Sequence, residues 1–331
     1  MRIPIFLLSI CAGLCSGALP STAGEPRAGP PTSSQSAELS GAVPATIFGV
    51  NGHDGRIDYP LSRAEARFQL LRARNLRSYR FDVSATDTAV LDTLVPLAKA
   101  YSISLRPMLY PASQAATYRF VRRYAGDVQI WEIGNEQDSD RAGAQIRIAA
   151  MLASYRGVQQ ASSELHLDLK TSINMMACNS NDASGTCPRD PNGNLWFLDM
   201  AAKSGFAFNY VTFHYYPHYG DRGYWMDLYL TQMRTAATRY RTKVFLNETN
   251  CAEVFAGNID GGSPRDRGCY DGLKDLLEQI KAGYSDIVQE VNLYELLDSR
   301  GSAEGVEQHF GLMYDLTRPK PTLDLVTGFA R

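Results

Sequence analysis

The chain has 331 residues, 44% of them hydrophobic and 21% charged, with 33 Lys plus Arg against 35 Asp plus Glu. That hydrophobic share is too high for a disordered chain, and a formal net charge of -2 without a basic stripe lacks the electrostatic footprint of a nucleic-acid binder. Tyrosine leads the aromatics, with 18 Tyr against 13 Phe and 3 Trp, and each Tyr couples an apolar ring to a hydroxyl.

Met1-Arg2, the apolar run from Ile3 to Leu14 and the small residues Ser16-Gly17-Ala18 follow the charged, apolar, small-residue order of a secretory signal peptide, which predicts residues 1–23 as that segment. The apolar run is shorter than the roughly 20 residues a bilayer span needs, and no later segment is longer, so no membrane attachment is expected once it is removed. Cys11 and Cys15 follow Ile10 and Leu14, not the small residue wanted before a lipid-modified cysteine. Residues 24–44 are rich in Pro, Ser, Gly and Ala and bury too little to offset their ordering entropy, which predicts a flexible leader. The expected location is secreted or periplasmic. Four cysteines then remain, Cys178, Cys187, Cys251 and Cys269, an even set that reads as two disulfides between sequence neighbours in an exported protein. Their spacing matches no Cys-x2-Cys zinc pattern.

From residue 45 onward, short β-branched or apolar runs predict eight strands at 46–51, 76–83, 103–110, 128–136, 169–176, 210–216, 243–248 and 290–297. Helical patterns fill the gaps. Ser62-Arg-Ala-Glu65 reads as a capping box ahead of Phe68 and Leu71, and helices follow at 86–100, 114–124, 142–161, 196–203, 224–240 and 272–282. Strict alternation over residues 45–331 predicts an α/β chain folded as a single (β/α)8 TIM barrel, which typically takes about 250 residues. A doubly wound open sheet is the competing architecture, weakened by the lack of a Gly-x-Gly-x-x-Gly after the first strand.

In such a barrel the carboxyl ends of the strands form the active-site face. They carry His53, Arg80 and Asp82, Tyr110, Asn135 and Glu136, His214 and Tyr216, Glu248, Tyr294 and Asp298. Strand alternation puts Glu136 on one face with Ile130, Glu132 and Gly134, and Glu248 on one face with Val244 and Leu246, so both carboxylates could aim across the barrel mouth. Two opposed carboxyl groups are what glycosidic cleavage needs, one to protonate the leaving oxygen and one to attack the anomeric carbon or activate water, with no cofactor. Arg80 is the neighbour that could hold Glu248 ionised. Glu132 lies deeper, where a charge must be paired, and reads as a structural partner for Arg80 or Arg106.

Other features have bland readings beside the functional ones. His214 and His218 have metal-like spacing, but Pro217 breaks any helix that would align them, so no metal is expected. His53 could be an interior histidine or a substrate contact. Tyr215, Tyr216, Tyr219, Tyr224 and Trp225 crowd the segment after the sixth strand and could pack the core or face sugar rings.

These residues resemble the retaining glycoside hydrolases of clan A, nearest to families 39 and 5. Trp131-Glu-Ile-Gly-Asn-Glu136 is similar to their strand-four acid/base motif, Phe245-Leu-Asn-Glu248 to the nucleophile strand, His214-Tyr-Tyr216 to the His-x-Tyr of strand six, and Arg80 in Tyr79-Arg-Phe-Asp82 to the strand-two arginine. The tail Phe310-Gly-Leu-Met-Tyr-Asp315, followed by Lys320-Pro321, also matches. The resemblance implies Glu136 as acid/base, Glu248 as nucleophile, Asn135 as a ligand of the sugar 2-hydroxyl, Tyr216 as a partner of the nucleophile, and His214 as a neighbour of substrate or acid/base. Gln137 stands where Pro often follows the pair, and Tyr294 where many members have Trp. The function so implied is a monomeric, secreted, retaining hydrolase of β-linked oligosaccharides or polysaccharides, with endo action on a polysaccharide as one option. A non-catalytic carbohydrate-binding barrel and a retaining transglycosylase are the alternatives.

Overall fold

Alternation of apolar and polar residues along a strand has a use only if the two faces meet different surroundings. In the computed structural model, which describes residues 45–139, 141–176, 194–217, 222–251, 264–299 and 307–331, one face packs on helices and the other lines a closed interior. The strands are β1 (Ile47–Gly52), β2 (Ser78–Val83), β3 (Ser104–Leu109), β4 (Ile130–Ile133), β5 (Lys170–Met175), β6 (Tyr210–His214), β7 (Lys243–Thr249) and β8 (Val288–Leu293). They pair in parallel in chain order, and β1 closes on β8 through Ile47 opposite Glu290. Helices α1 (Ala64–Ala73), α2 (Ala89–Tyr101), α3 (Gln114–Tyr124), α4 (Ala144–Glu164), α5 (Leu195–Lys203), α6 (Arg222–Tyr240), α7 (Pro264–Gln279) and α8 (Pro321–Phe329) follow the strands in turn. A small antiparallel ribbon, β9 (Met313–Asp315) with β10 (Arg318–Pro319), separates β8 from α8. The single (β/α)8 barrel is therefore the observed architecture.

The apolar core is the layer between strands and helices. Tyr79, Phe81, Trp131, Ile133, Ile173, Val211, Phe213, Val244, Leu246, Val291 and Leu293 all belong to it and are at most 1% exposed. The inward faces carry Ser78, Arg80, Arg106, Glu132, Ser172, Asn174, Thr212, Asn247, Glu290 and Asn292 instead. Such a polar interior must satisfy itself. Arg106 donates to Glu290 at 2.7 Å, Asn292 donates to the other oxygen of Glu290 at 2.8 Å, and Ser78 donates to Asn292 at 2.5 Å. Gly49 makes room for that last contact, because a Cβ there would lie 2.0 Å from Ser78 Oγ and 2.3 Å from Asn292 Oδ1.

Three sequence expectations need correction. The Ser62–Glu65 capping box does not form: Pro60 launches a 3-10 turn over Leu61–Arg63, so Ser62 sits inside that turn, and Glu65 instead accepts from the Tyr101 hydroxyl at 2.9 Å. The fourth strand stops at Ile133, and Gly134 (φ 77°) and Glu136 (φ 49°) turn the chain, so alternation does not carry Glu136 into the mouth. On β7, Val244 and Leu246 face the helix layer, and alternation alone would send Glu248 there with them. The register against β6 skips Asn247, pairing Phe213 with Leu246 and His214 with Glu248, and the same extra residue appears against β8. This bulge lets the consecutive Asn247 and Glu248 both point inward. Cys251 and Cys269 form the expected disulfide, tying the end of β7 to α7, whereas Cys178 and Cys187 lie outside the described residues.

Close helix packing on the outer layer gives a test of the fold. Ala is the better helix former by about 1 kcal/mol, yet at Gly157 of α4 a methyl would meet Gln114 O of α3 at 2.7 Å and Thr117 Cβ at 2.8 Å. Gly157→Ala is expected to lose about 1–3 kcal/mol to overpacking, read as a lower urea midpoint at unchanged slope. A midpoint at or above that of the parent would show that α3 and α4 separate freely.

Candidate active site

The cleft at the carboxyl ends of the strands is about 290 Å³ and is lined by both catalytic candidates, Glu136 and Glu248, together with Arg80, Asn135, Tyr216 and Tyr294. Its foundation is Arg80. Inside the barrel this guanidinium donates to Glu132 at 2.6 Å, to Glu248 Oε1 at 2.6 Å and to Asn135 Oδ1 at 2.8 Å. Burial alone would favour losing its proton, but the charges of Glu132 and Glu248 outweigh burial and hold Arg80 protonated. Glu132 is fixed in turn by Asn247 Nδ2 at 2.5 Å, so the two inward residues of the β7 bulge grip opposite ends of the Arg80 cluster.

Glu248 completes its shell with the Tyr216 hydroxyl, which donates to Oε2 at 2.8 Å. Burial first, and then the Glu248 charge, push the Tyr216 hydroxyl well above its usual range, so it stays a donor. His214, beneath the cleft and fully buried, spans the two glutamates, with Nδ1 at 2.7 Å from Glu136 Oε1 and 3.3 Å from Glu248 Oε2. Burial pulls its basicity down, but Glu248 and Glu136 together outweigh that and raise it. An oxygen of Glu136 and an oxygen of Glu248 lie within 4.8 Å of each other and of a ring nitrogen of His214. A cation could use three such donors, but Arg80 already places a full positive charge against this trio. The side chain of Glu136 is 35% exposed and that of Glu248 only 10%, which suits the first to reach water or a leaving group and the second to meet a bound ring from below.

A second network occupies the other side of the cleft. Asp82 Oδ1 meets His53 Nδ1 at 2.9 Å, and Oδ2 accepts from Arg56 at 3.0 Å and from the Tyr110 hydroxyl at 3.0 Å. Burial would raise Asp82, but the hydrogen bond and charge of His53, with Arg56, hold it far below the usual carboxylate range. His53 Nε2 lies 3.1 Å from the Tyr294 hydroxyl. Phe310 packs on both Tyr216 and Tyr294, at ring-centroid distances of 5.0 and 5.6 Å, and joins the two halves.

Of the eleven strand-end candidates named from sequence, ten fall in these two connected networks; Asp298 does not, and accepts instead from Lys320 Nζ at 2.5 Å and from the Gly311 backbone at 3.0 Å. Tyr215 does not: it is 2% exposed, faces outward and stacks near Tyr229 at 4.8 Å, because its place between His214 and Tyr216 puts it on the helix side. Tyr219 and His218, and the side chains of Tyr224 and Trp225, lie outside the described residues. Sequence reasoning gave no role to Asn174, Asn247 or Phe310. Asn174 had a legible signal, as a polar residue between Ile173 and Met175 on a strand; Asn247 had none, because its inward direction depends on the bulge. Asp138 was also missed. It accepts from the Met176 backbone at 2.9 Å and from Asn194 at 2.9 Å, pinning the turn after Glu136, and burial outweighs those bonds to push it up to about 6.

No protein-family model and no curated protein matches the chain in sequence. In structure it is similar to a family 39 glycoside hydrolase from the gut symbiont Bacteroides cellulosilyticus WH2, with a TM-score of 0.62 at 14% identity over 87% of this chain. The chain spans 64% of that protein's length. It is also similar to a Thermotoga maritima family 1 glycoside hydrolase, TM-score 0.60 at 13% identity, covering 86% of this chain and 97% of the other. A psychrophilic family 10 endo-β-1,4-xylanase aligns with a TM-score of 0.58 at 14% identity, covering 86% and 96%. At these identities the likeness is one of barrel fold.

Behind His53, Glu295 is 0% exposed, and neither of its carboxyl oxygens has a hydrogen-bond partner among the described residues. The nearby Tyr59 hydroxyl favours the charged form but donates to Leu297 O instead, and burial, opposed first by His53, pushes Glu295 up to about 7. A folded-state value above the unfolded one favours folding most below about 4.5, and that contribution is lost as pH rises through 7. Glu295→Gln removes this titration. The stability of the variant minus that of the parent should therefore grow by roughly 2–3 kcal/mol between pH 4.5 and 8 in urea unfolding. Parallel curves would rule out the buried acid as their source.

Proposed function

We propose that the chain is a retaining glycoside hydrolase of β-linked glycans, with Glu248 as nucleophile and Glu136 as general acid and then base. The observation that carries this reading is the Glu136–Glu248 pair itself, with oxygens within 4.8 Å. Retaining chemistry places its two carboxyl groups about 5–5.5 Å apart, whereas inversion needs about 6.5–9.5 Å to admit a water. The barrels it is similar to are those of glycoside hydrolases of families 39, 1 and 10, which agrees with this chemistry.

In the first step, Glu248 attacks the anomeric carbon, the glycosidic C–O bond breaks, and Glu136 gives its proton to the departing oxygen. Arg80 and Tyr216 hold Glu248 ionised and aimed before the attack. In the second step, Glu136 takes a proton from water, whose oxygen displaces Glu248 and restores the original anomeric configuration. Asn135, fixed through its Oδ1 by Arg80, is placed to meet a sugar hydroxyl with its amide, while His53 and Tyr294 face the same ring from the Asp82 side. Export is part of the proposal: residues 1–23 as signal peptide, 24–44 as leader and 45–331 as the catalytic domain. The Cys251–Cys269 disulfide suits an oxidising compartment, and among the described residues no helix is long and apolar enough to cross a membrane.

With aryl β-glycosides, proton NMR should detect the β-anomer as first product; an α-anomer would overturn retention. Glu248→Ala should abolish turnover while leaving the unfolding transition in place, and a variant that still turns over at the parental rate would remove the nucleophile assignment. Glu136→Ala should lose roughly 10²–10⁴-fold on natural glycans and far less on glycosides with good leaving groups, which need little protonation. Equal losses on both would argue for a different acid.

A further inference from the structure

Asn174 sits on β5 with its side chain inside the barrel and 1% exposed. Its Oδ1 accepts from the backbone N–H of Glu136 at 2.8 Å. A backbone amide can only donate, so this contact fixes which end of the Asn174 amide is oxygen. Nδ2 then points at His214 Nε2, 2.8 Å away, with Thr212 Oγ1 at 3.2 Å and Asn247 Oδ1 at 3.4 Å as its other neighbours. An amide NH2 has no lone pair to offer, so Nε2 must be the acceptor. The proton of the neutral ring is left on Nδ1, which faces Glu136 and Glu248.

We infer that Asn174 is a positioning residue that sets the tautomer of His214, directing Nδ1–H at the carboxylate pair and opposing a second proton on Nε2. Among the described residues, the charged groups around the ring are Glu136 after β4, Glu248 on β7 and Arg80 on β2, and Asn174 is the hydrogen-bond partner at Nε2. The two glutamates draw His214 toward the imidazolium form, but the extra proton would have to point at the Asn174 NH2. Turning that amide to accept it would break the bond to the Glu136 backbone. That bond has its own value, because Glu136 is a non-glycine residue at φ 49°, a left-handed conformation that its surroundings must hold. One side chain therefore seats the Glu136 backbone and decides which nitrogen of its neighbour carries the proton.

The consequence for turnover rests on Glu136 being the acid. An imidazolium 2.7 Å from Glu136 would hold it ionised and leave no proton for the departing oxygen. A neutral Nδ1–H can donate to the carboxylate as it forms, without removing the acid beforehand.

The test is a long-range proton–nitrogen NMR spectrum of the full chain labelled with 15N-histidine, in which the five His give few enough signals for His214 to be assigned against His214→Asn. The expected result is a neutral Nδ1–H ring at pH 7 in the parent and a ring protonated on both nitrogens in Asn174→Asp, whose carboxylate accepts from both Glu136 N–H and Nε2–H. Asn174→Asp should also lower kcat/KM by roughly 10²-fold or more on glycosides with poor leaving groups and much less on activated ones, with the alkaline limb of the pH profile moved to lower pH. A merely structural role would depress both substrate classes alike. An Nε2–H tautomer or an imidazolium in the parent, or an unchanged ring in Asn174→Asp, overturns the inference, and the parent spectrum alone decides if the variant does not fold. The expected tautomers in a chain that turns over no glycan would keep the inference and remove the hydrolase reading.

Discussion

Arg80 is a cation that cannot leave its proton and cannot reach bulk water, so everything around it is arranged to neutralise it. Glu132 below and Glu248 beside it supply the charge, and Asn135 accepts a further hydrogen bond. Desolvating such a group costs several kcal/mol, and buried ion pairs rarely return that as net stability. What the pairing gives is geometry. Glu248 cannot drift without leaving a guanidinium uncompensated, and Asn135 cannot rotate without losing its charged donor. The adjoining residue Glu136 inherits that fixity through the turn, and His214 transmits it across the barrel. The glutamate side of the cleft thus follows from one charge on β2, and the Asp82 side is joined to it through Phe310.

Stability and chemistry occupy different layers of the same sheet. The outward faces of the strands, with Trp131, Phe213, Leu246 and their neighbours, are buried under helices and supply the apolar area that folding needs. The inward faces are mostly polar down to the Arg106–Glu290 pair near the base, with Met108 and Phe245 as apolar members. Barrel interiors are usually filled by bulky branched side chains; here hydrogen bonds and ion pairs replace most of them. A substitution on an outward residue is therefore expected to register as lost stability, whereas one on an inward residue alters the orientation of its partners. Glu295 belongs to neither class, since it is buried with no side-chain hydrogen bond among the described residues, only the more distant His53 ring at 3.7 Å, and sets a pH dependence on the fold instead.

The sequence carried the barrel plainly, because strand and helix periodicities alternate without interruption and each run is long enough to read. The cleft residues on strands with regular alternation, such as Arg80, His214 and Tyr216, were legible for the same reason. Glu136 and Glu248 were named from residue type and place along the chain, but the geometric account of them was wrong in both cases. Neither a left-handed turn at Glu136 nor a bulge at Asn247 has a strong local signature, and each depends on partners distant in sequence, Asn174 for the first and β6 and β8 for the second. The capping box failed for a more local reason, the preceding Pro60, and Tyr215, whose crowded surroundings leave core and cleft equally open, is decided for the core by parity along the strand.

The β7 bulge has one more consequence, which concerns counting. The direction of Glu248 depends on the number of residues between it and Leu246 as much as on its chemistry. Deleting Asn247 would remove the extra residue, so simple alternation from Leu246 would still send Glu248 inward and Thr249 outward, but the grip of Asn247 on Glu132 would be lost. The site is written partly in an interval, which a comparison of residue identities alone does not measure.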